Sequence, residues 1–253
     1  MNRILEILRA VFIVPFCVSC GARICGHDVP LCEPCQKRYM TERGQGCSLC
    51  GFPAPVCRCG FQLKGKKHTV YHAALYNPKN PGVVGKIVFN AKQQNLRDNF
   101  DFIATECVSV LKNRLNLSQG DFIVTWMPRR RKAIEKYGHD QAREMAKRIA
   151  GKLNIPIVQT MKNKGERVQK KLSGRMREEN ARKSYFPVKD PADKVNGKRV
   201  ILVDDIFTTG ASLKSGTRIL LEAGAADVIP LTFAKNDRPF RRYNVKSIRK
   251  TDT

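Results

Sequence analysis

Residues from about 63 to 240 alternate between short apolar runs and longer stretches in which apolar positions recur at helical spacing. The short runs predict buried strands over 70–76, 122–127, 155–159, 199–203 and 228–234. The longer stretches predict helices over 83–92, 99–115, 141–153 and 213–221. Asp140 stands where an N-cap belongs. Near-continuous apolar strands that alternate with helices are typical of an α/β domain with a parallel sheet covered on both faces.

The chain is predicted to divide into three parts. Residues 1–62 hold nine of the ten cysteines and are rich in Gly and Pro. Such a segment cannot bury much core, so it needs a cross-link such as a metal site or disulfides to be stable. Residues 63–240 form the α/β domain, and residues 241–253 are a basic tail. Apolar residues between Ile4 and Phe12 recur at helical spacing and predict a short docking helix. A secretory signal is the alternative, although Glu6 and Arg9 interrupt its apolar stretch.

The stretch from Met161 to Tyr185 is basic, polar and weakly patterned. We interpret it as a long mobile loop, and long loops inside compact domains usually carry function. No uninterrupted apolar run in the chain approaches the roughly 18 residues that would cross a bilayer. The sequence therefore predicts no membrane span.

The chain carries a large excess of positive charge. Its 47 Lys and Arg residues against 22 Asp and Glu residues give a formal net charge of +25 at pH 7. Residues 129–183 alone contain 18 basic and 6 acidic residues, an excess of 12. Such an imbalance favours anionic partners such as phosphates, nucleotides or nucleic acid, but it does not say which anion binds.

Eight of the cysteines form four close pairs. The pairs are Cys17 with Cys20, Cys32 with Cys35, Cys47 with Cys50, and Cys57 with Cys59. A C-x2-C turn directs two sulfurs to one side of a tight knuckle, and two knuckles complete a tetrahedral zinc site. Joined in chain order, the pairs predict two zinc ions, with cross-braced pairing as the alternative. Gly21, Gly51 and Gly60 directly follow knuckles and suit the positive φ that such turns need.

A disulfide framework is the competing interpretation of these cysteines. A basic α/β domain without a convincing export signal points to a reducing compartment, where C-x2-C pairs more often bind metal. The sequence therefore predicts a cytoplasmic protein. Its zinc is expected to be structural, because four thiolates around each ion leave no open position for catalysis. The unpaired Cys107 is expected to be a small core residue.

The most specific stretch of the sequence runs from Val200 to Ser212 and reads VILVDDIFTTGAS. Its four leading apolar residues predict a buried strand that ends at the carboxyl edge of the sheet, where ligands of α/β proteins bind. A turn of small residues then leads into a helix, and its backbone N–H groups and hydroxyls predict a nest for a phosphate. The nest comprises Thr208, Thr209, Gly210, Ala211 and Ser212.

Asp204 and Asp205 lie between the predicted strand and the phosphate nest. Adjacent carboxylates repel each other unless hydroxyl donors or a cation relieve the repulsion, so we expect them to meet a sugar diol or a metal-bound phosphate. The competing interpretation is structural: Asp205 merely precedes the turn, and the threonines cap the helix.

This stretch is similar to the phosphoribosyl pyrophosphate signature of type I phosphoribosyltransferases. The whole chain resembles the ComF family of bacterial competence proteins, which join a cysteine-ribbon N-terminus to a phosphoribosyltransferase domain. Further matches are Pro128-Arg129-Arg130 with residues 137–141, and the positions Gln169, Leu172, Arg177, Asn180 and Phe186. The chain departs from the family pattern at Tyr137, which replaces an Arg, and at His139-Asp140, which replaces Phe-Asn.

The resemblance implies a role for each of these groups. Asp204 and Asp205 would be catalytic residues that hold the ribose hydroxyls, and residues 208–212 would hold the 5′-phosphate. Arg129 and Arg130 would face the pyrophosphate, with Mg²⁺ between the groups. The stretch 161–185 would close over the site as a lid, and loss of pyrophosphate would depend on neutralising the leaving group and excluding water.

Two classes of function follow from the sequence. The first is an enzyme or ligand-dependent protein that uses phosphoribosyl pyrophosphate with Mg²⁺. The second is a single-stranded DNA-binding competence factor whose phosphoribosyl site is regulatory or inactive. Trp126, Tyr137 and Phe186 could supply base stacking, although Trp126 more simply ends a buried strand. The resemblance implies cytoplasmic action in the uptake of transforming DNA, beside a helicase-type partner.

Overall fold

The computed structural model describes residues 15–24, 30–118, 120–165, 179, 181–189 and 192–237. The predicted N-terminal helix and the basic tail lie outside the described residues. So do four positions of the family pattern, namely Gln169, Leu172, Arg177 and Asn180.

A four-stranded parallel sheet forms the centre of the fold. Its strand order is β3 (Tyr71–Tyr76), β8 (Asp227–Asn236), β7 (Arg199–Phe207) and β4 (Phe122–Trp126), and each neighbouring pair is parallel. All five residues of β4 are buried, as are the inner eight of β8, which is expected of strands covered on both faces. The predicted α/β class with a parallel sheet is confirmed.

Two apolar clusters cover the two faces of the sheet, because alternate side chains of a strand point in opposite directions. Ile201 and Val203 of β7 join the cluster that contains α2 (Gly82–Gln93), α3 (Arg97–Arg114) and α5 (Gln141–Leu153). Val200 and Leu202 join the opposite cluster, which contains α7 (Ala211–Glu222). The short helices α4 (Arg131–Tyr137) and α6 (Ala192–Val195) complete the α/β domain among the described residues.

The cysteine module packs directly onto this domain. Its helix α1 (Glu33–Gly44) buries Tyr39 against Phe102, with the rings in edge-to-face contact at 5.2 Å. Cys17, Val18, Ile24 and Leu31 belong to the same apolar cluster as the helices of the α/β domain. The hairpin of β1 (Gly60–Leu63) and β2 (Lys66–Thr69) follows the module and packs beside α7. A division of the chain at residue 62 remains a prediction.

Two of the predicted elements differ from the structure. The interpretation of 161–185 as one loop is wrong at its ends, where β5 (Met161–Asn163) pairs in antiparallel fashion with β6 (Tyr185–Pro187). The predicted strand over 155–159 is reduced to a single bridge between Val124 and Ile157. Pro156 has no amide hydrogen, so the ladder beside β4 cannot extend towards the start of the segment.

Two expectations about single residues are confirmed. Cys107 is completely buried, and its sulfur lies 3.8 Å from the Thr232 carbonyl oxygen. Trp126 is 6% exposed and ends β4. Within the part of the chain that the structure describes, no helix is both long and apolar enough to span a membrane.

Candidate functional site

The site lies where one strand of the sheet is longer than its neighbour. β4 ends at Trp126, which pairs with Val203, and the Met127 amide donates one further hydrogen bond to the Val203 carbonyl oxygen. β7 continues to Phe207, still paired with β8, although the sequence predicted its end at Val203. Among the described residues, 204–207 therefore have no paired strand on the side of β4, and the two acids lie on this free edge.

A cavity of about 290 Å³ opens beside this free edge. Asp204, Arg130 and the predicted phosphate nest contribute to its wall, together with Asn163 of β5 and Tyr185 of β6. Its lining residues are Arg130, Asn163, Ala181, Ser184, Tyr185, Asp204 and residues 206–213. The structure thus brings one acid, one arginine and the whole nest around a single space.

Gly210 shapes the predicted phosphate nest. It adopts a left-handed conformation with φ of 77° and is the N-cap of α7. A Cβ atom here would lie 2.7 Å from Cε2 of Phe207, so both the backbone angle and the space require glycine. Thr208 and Thr209 are exposed, and the amides of the first turn of α7 point to the same end of the helix. This end of α7 can therefore bind a phosphate.

The two adjacent acids have different surroundings. Asp204 lines the cavity, and its Oδ1 accepts a hydrogen bond of 2.9 Å from the Asp205 amide. The Asp205 Oδ2 accepts from Lys92 Nζ at 3.0 Å and from Gln141 Nε2 at 3.3 Å, while its Oδ1 accepts from the Ile206 amide at 2.7 Å. Asp205 is therefore held by three donors of the protein, and Asp204 lines the cavity.

These surroundings move the two pKa values in opposite directions. Burial, together with the neighbouring Asp205 carboxylate, raises the pKa of Asp204 well above its usual range. Burial alone would also raise the pKa of Asp205, but the ion pair with Lys92 outweighs it and lowers that pKa. Neighbouring carboxyl groups with separated pKa values are a common feature of functional sites.

Lys92 and Tyr185 are site residues that the sequence analysis missed. Lys92 lies in the last turn of α2 and meets Asp205 only through the tertiary fold. Tyr185 begins β6 and lines the cavity; burial and the nearby Asp204 raise its pKa to about 12, so the phenol stays a hydrogen-bond donor. Neither residue belongs to a motif, although Tyr185 ends the stretch that was singled out as functional.

The two arginines expected at the pyrophosphate lie in different places. Arg130 lines the cavity. Arg129 stacks its guanidinium over the Tyr137 ring at 4.5 Å and donates from Nη1 to the carbonyl oxygens of Lys92 and His139 at 3.2 and 3.3 Å. The assignment of both arginines to the ligand remains a prediction, and Arg130 has the more direct access.

The residues that depart from the family pattern support this loop. Asp140 caps α5, accepting from the Arg143 amide at 3.3 Å, and it also accepts from the Arg129 amide at 2.9 Å. The N-cap prediction is confirmed. His139 is buried, with its ring nitrogens 2.8 and 2.7 Å from the carbonyl oxygens of Tyr137 and Ala91. Both residues therefore hold the loop against α2 and α5.

Two further depressions adjoin the cavity, and both are rich in basic residues. A cleft of about 830 Å³ shares Asn163 with the cavity, and its basic lining residues are Arg129, Arg131, Arg143, Lys162 and Lys164. Its acidic lining residues are Glu135, Asp140 and Glu144. A smaller depression of about 250 Å³ shares Ala211 with the cavity and is lined by Lys64, Arg182, Lys214 and Arg218.

The eight paired cysteines form two clusters in chain order. Cys17, Cys20, Cys32 and Cys35 make the first cluster, and Cys47, Cys50, Cys57 and Cys59 make the second; the sulfurs of each lie within 4.8 Å of one another. All eight are free thiols. Sulfur separations of 3.6 Å in the first cluster and of 3.8 and 3.4 Å in the second are close to the ~3.8 Å edge of a tetrahedral zinc–thiolate site. Both clusters could therefore bind zinc.

The predicted turn glycines are confirmed at two of three positions. Gly21 and Gly51 have φ values of 76° and 74°. The expectation for Gly60 is wrong, because it lies in β1 and is not among the glycines with positive φ. A Cβ at Gly60 would overlap the His68 carbonyl oxygen on the paired strand, so this position needs glycine for close approach instead.

A buried lysine connects the second cysteine cluster to the sheet. Lys235, near the end of β8, is 2% exposed, and its Nζ lies 2.8 Å from the Cys47 sulfur. Two residues further on, the Asp237 Oδ1 accepts from the Ser48 amide and hydroxyl at 2.9 and 2.8 Å. The second cluster is therefore anchored to the strand that lies beside β7 and its two acids.

Comparison with known families gives the class of the domain. Residues 133–252 match the phosphoribosyl transferase domain, a segment that contains both acids and the nest. The chain therefore contains a domain of the phosphoribosyltransferase class, which confirms the predicted fold.

One relative extends the similarity over most of the chain. The competence protein ComFC of Bacillus subtilis is 25% identical over 217 residues, which cover 83% of this chain and 85% of that protein. The chain is a homologue of ComFC, and the two cysteine clusters agree with the cysteine-ribbon part of the predicted resemblance.

Three solved structures that match part of the chain are as follows. Phosphoribosylpyrophosphate synthetase from Mycobacterium smegmatis is 20% identical, with a TM-score of 0.33 and coverage of 52% of this chain and 33% of that chain. The allosteric regulatory enzyme of purine biosynthesis is 20% identical, with a TM-score of 0.38 and coverage of 58% and 29%. Adenine phosphoribosyltransferase from Thermoanaerobacter pseudethanolicus is 13% identical, with a TM-score of 0.35 and coverage of 61% and 86%. The chain thus spans about a third of the length of the first two enzymes.

Proposed function

We propose that the protein binds phosphoribosyl pyrophosphate together with Mg²⁺ in the cavity at the end of β7. The observation that carries this proposal is the meeting of Asp204, Arg130 and the nest of residues 208–212 around one space. Separate parts of this wall suit separate parts of the ligand. Amides and hydroxyls of the nest suit the 5′-phosphate, a carboxyl group suits the ribose hydroxyls, and a guanidinium suits the pyrophosphate.

The cavity wall also fits the chemistry of pyrophosphate loss. A positive centre develops on the sugar while negative charge builds up on the leaving group. Arg130 can neutralise part of that charge, and bound Mg²⁺ would supply the rest. Asp204 can hydrogen-bond the ribose hydroxyls, and the Tyr185 phenol, which also lines the cavity and contacts Ser212 of the nest, can donate to the ligand. In this proposal Asp204 and Asp205 are the catalytic pair, and the acceptor of the ribosyl group is unassigned.

Calorimetry with phosphoribosyl pyrophosphate and Mg²⁺ tests this proposal. We expect the wild type to bind and the double variant Asp204→Asn, Asp205→Asn to lose binding with its zinc content unchanged. Asp98→Asn, at an exposed position on α3, is the matched control and should bind like the wild type. Equal binding by wild type and double variant would overturn the assignment of the acids. Pyrophosphate release that depends on an added acceptor would support transferase activity.

We also propose that each cysteine cluster holds one structural zinc ion. The tetrahedral sulfur spacing and four thiolates per cluster support zinc, and they leave no position for a reacting group. A chain with two such sites belongs in a reducing compartment, in agreement with the predicted cytoplasmic location. Elemental analysis should find two zinc ions per purified chain, and disulfides in place of zinc would contradict both statements.

The relationship to ComFC supports a role in natural competence, with uptake of transforming DNA as the proposed process. A second candidate function is binding of single-stranded DNA, with the phosphoribosyl site regulatory or inactive. The two depressions that share residues with the cavity favour it, because basic side chains line both of them, and in this proposal they form one positively charged track. Such a track suits a flexible polyphosphate backbone. The helicase-type partner implied by the family resemblance stays a prediction.

Salt dependence of binding separates this candidate from an ordinary basic surface. The logarithm of the affinity for single-stranded DNA should fall linearly with the logarithm of the salt concentration, with a slope of about −0.7 for each neutralised phosphate. Arg143→Gln and Lys162→Gln in the larger cleft should each make the slope shallower, while Lys86→Gln on the exposed side of α2 should not. A slope that is unchanged in both cleft variants would exclude this track.

A further inference from the structure

The two paired strands β5 and β6 form a ribbon with two different faces. Directly paired residues share a face, and alternate residues along a strand return to it. Asn163 is paired with Tyr185, and both side chains line the cavity, so they mark the inner face of the ribbon. Lys162 is paired with Phe186 and belongs to the outer face together with Lys164.

The outer face combines an exposed aromatic ring with two lysines. Phe186 is 41% exposed, and Lys164 Nζ lies 5.6 Å from the centroid of its ring. Lys164 continues the pairing of the strands, because its amide donates to the Ser184 carbonyl oxygen at 2.9 Å. Lys162 and Lys164 are both exposed and line the cleft of about 830 Å³. The outer face is therefore apolar at its ring and positively charged around it.

No negative charge within the ribbon or its flanks offsets these lysines. Residues 161–165 and 181–189 contain five basic side chains and no acidic one. The acids that line the adjoining cleft, Glu135, Asp140 and Glu144, come from α4 and α5 and from the connection between them. A polyanion that reaches the ribbon therefore meets only positive charge on these segments.

The structure distinguishes the three aromatic residues that the sequence offered for base stacking. Trp126 is 6% exposed and ends β4, so its ring belongs to the core. The Tyr137 ring already has two cations over it, from Arg129 at 4.5 Å and from Lys136 at 5.0 Å. Phe186 is the most exposed of the three. Its ring is thus the one best placed to receive a further planar group.

We propose that the outer face of the β5–β6 ribbon is a stacking platform for single-stranded DNA, on which an unpaired base packs against Phe186 while Lys162 and Lys164 contact the neighbouring phosphates. Every base has a π face, so such a platform binds strands of any sequence. The inference rests on the second candidate function and names the unpaired base as the group that is recognised. Bases inside a duplex are stacked on both sides and cannot use the platform.

Two strands of equal phosphate number test the inference, one with bases and one built from abasic sites. The wild type should bind the strand with bases more tightly. Phe186→Ala should weaken binding of that strand roughly 5- to 100-fold and leave the affinity for the abasic strand unchanged. Phe186→Tyr should retain the wild-type affinity. Phe89→Ala, which removes a ring that is 62% exposed on α2 and does not line the cleft, is the matched control and should match the wild type.

The salt dependence separates the ring from the lysines. Lys164→Gln removes one charge and should make the slope shallower by about 0.7 for both strands. Phe186→Ala removes no charge, so its slope should equal that of the wild type. Because Phe186 is exposed, the thermal unfolding of Phe186→Ala should also be unchanged, and the comparison of the two strands in the wild type does not depend on any variant.

The outcomes separate this inference from the function on which it rests. If the wild type binds neither strand, the second candidate function and the inference both fail. If the wild type binds both strands equally, or Phe186→Ala binds the strand with bases as the wild type does, the basic track stands and the platform is wrong. A loss in Phe186→Ala that is equal for both strands would likewise overturn stacking on this ring.

Discussion

Replacement of Lys235 by methionine should weaken zinc binding at the second cysteine cluster and leave the first cluster unchanged. Lys235 is 2% exposed, and its Nζ lies 2.8 Å from the Cys47 sulfur and 3.7 Å from Asp237 Oδ1. Four thiolates around one Zn²⁺ leave a net charge of −2, so this buried ammonium balances half of it. Methionine keeps most of the side-chain volume and removes the charge and the donor.

The magnitude follows from the contact that is lost. A hydrogen bond to a charged group contributes about 1.5–3 kcal/mol. Since about 1.4 kcal/mol corresponds to a factor of ten in affinity, the second site should bind zinc roughly 10–100-fold more weakly. The first cluster is an internal reference, because Lys235 contacts Cys47 of the second cluster, whereas Asn90 donates to the carbonyl oxygens of Val18 and Ser19 beside the first.

Competition with a chromophoric chelator measures this difference. In Lys235→Met, one of the two zinc ions per chain should be released at a lower chelator concentration than in the wild type, and the other at an unchanged one. Lys112→Met, an exposed position on α3, is the matched charge control and should release both ions as the wild type does. Unchanged release from the second cluster, or equal weakening of both, would refute the electrostatic argument.

Three further perturbations follow from the structure. Gly210→Ala should destabilise the protein by about 1–2 kcal/mol, because alanine is strained in the left-handed conformation. It should also weaken phosphate binding, because the new methyl group meets Phe207. An unchanged thermal unfolding temperature would contradict this prediction. Asp140→Ala removes a helix N-cap and should lower the free energy of unfolding in urea by about 1 kcal/mol, whereas Asp140→Asn should restore much of it. Burial lowers the pKa of His72 from 6.5 to about 3, so the unfolded chain binds a proton that the folded chain does not between those pH values. Stability should thus be lost as pH falls below 6.5, and His72→Phe should remove about 1.4 kcal/mol per pH unit from that slope near pH 5; identical slopes would show that His72 titrates normally.

The fold class and the phosphate nest were predictable because their signals are local. Apolar runs between helical stretches indicate a parallel sheet, and the residues from Val200 to Ser212 contain a strand, a turn and a helix start within one short segment. The cysteine pairs are equally local, since two residues between sulfurs already place both on one side of a turn. The structure adds that the pairs combine in chain order, the first with the second and the third with the fourth.

The pairing of β5 with β6 shows where local patterns are insufficient. Met161 and Pro187 pair across a long connection, and three-residue strands are too short for their periodicity to distinguish them from a loop. The true end of β7 was missed for a related reason. Asp204 and Asp205 interrupt the apolar run, although β8 continues to pair with β7 as far as Phe207.

The sequence by itself determined which residues could hold a phosphate, a sugar and a metal, because those abilities depend on residue type and short spacing. Only the tertiary structure decided which partner each of these groups contacts. It brings Lys92 to Asp205 and Lys235 to Cys47, in each case joining a basic residue to a partner far along the chain. Such pairs leave no periodic signal, because burial and charge balance are settled by packing between elements that are distant in sequence.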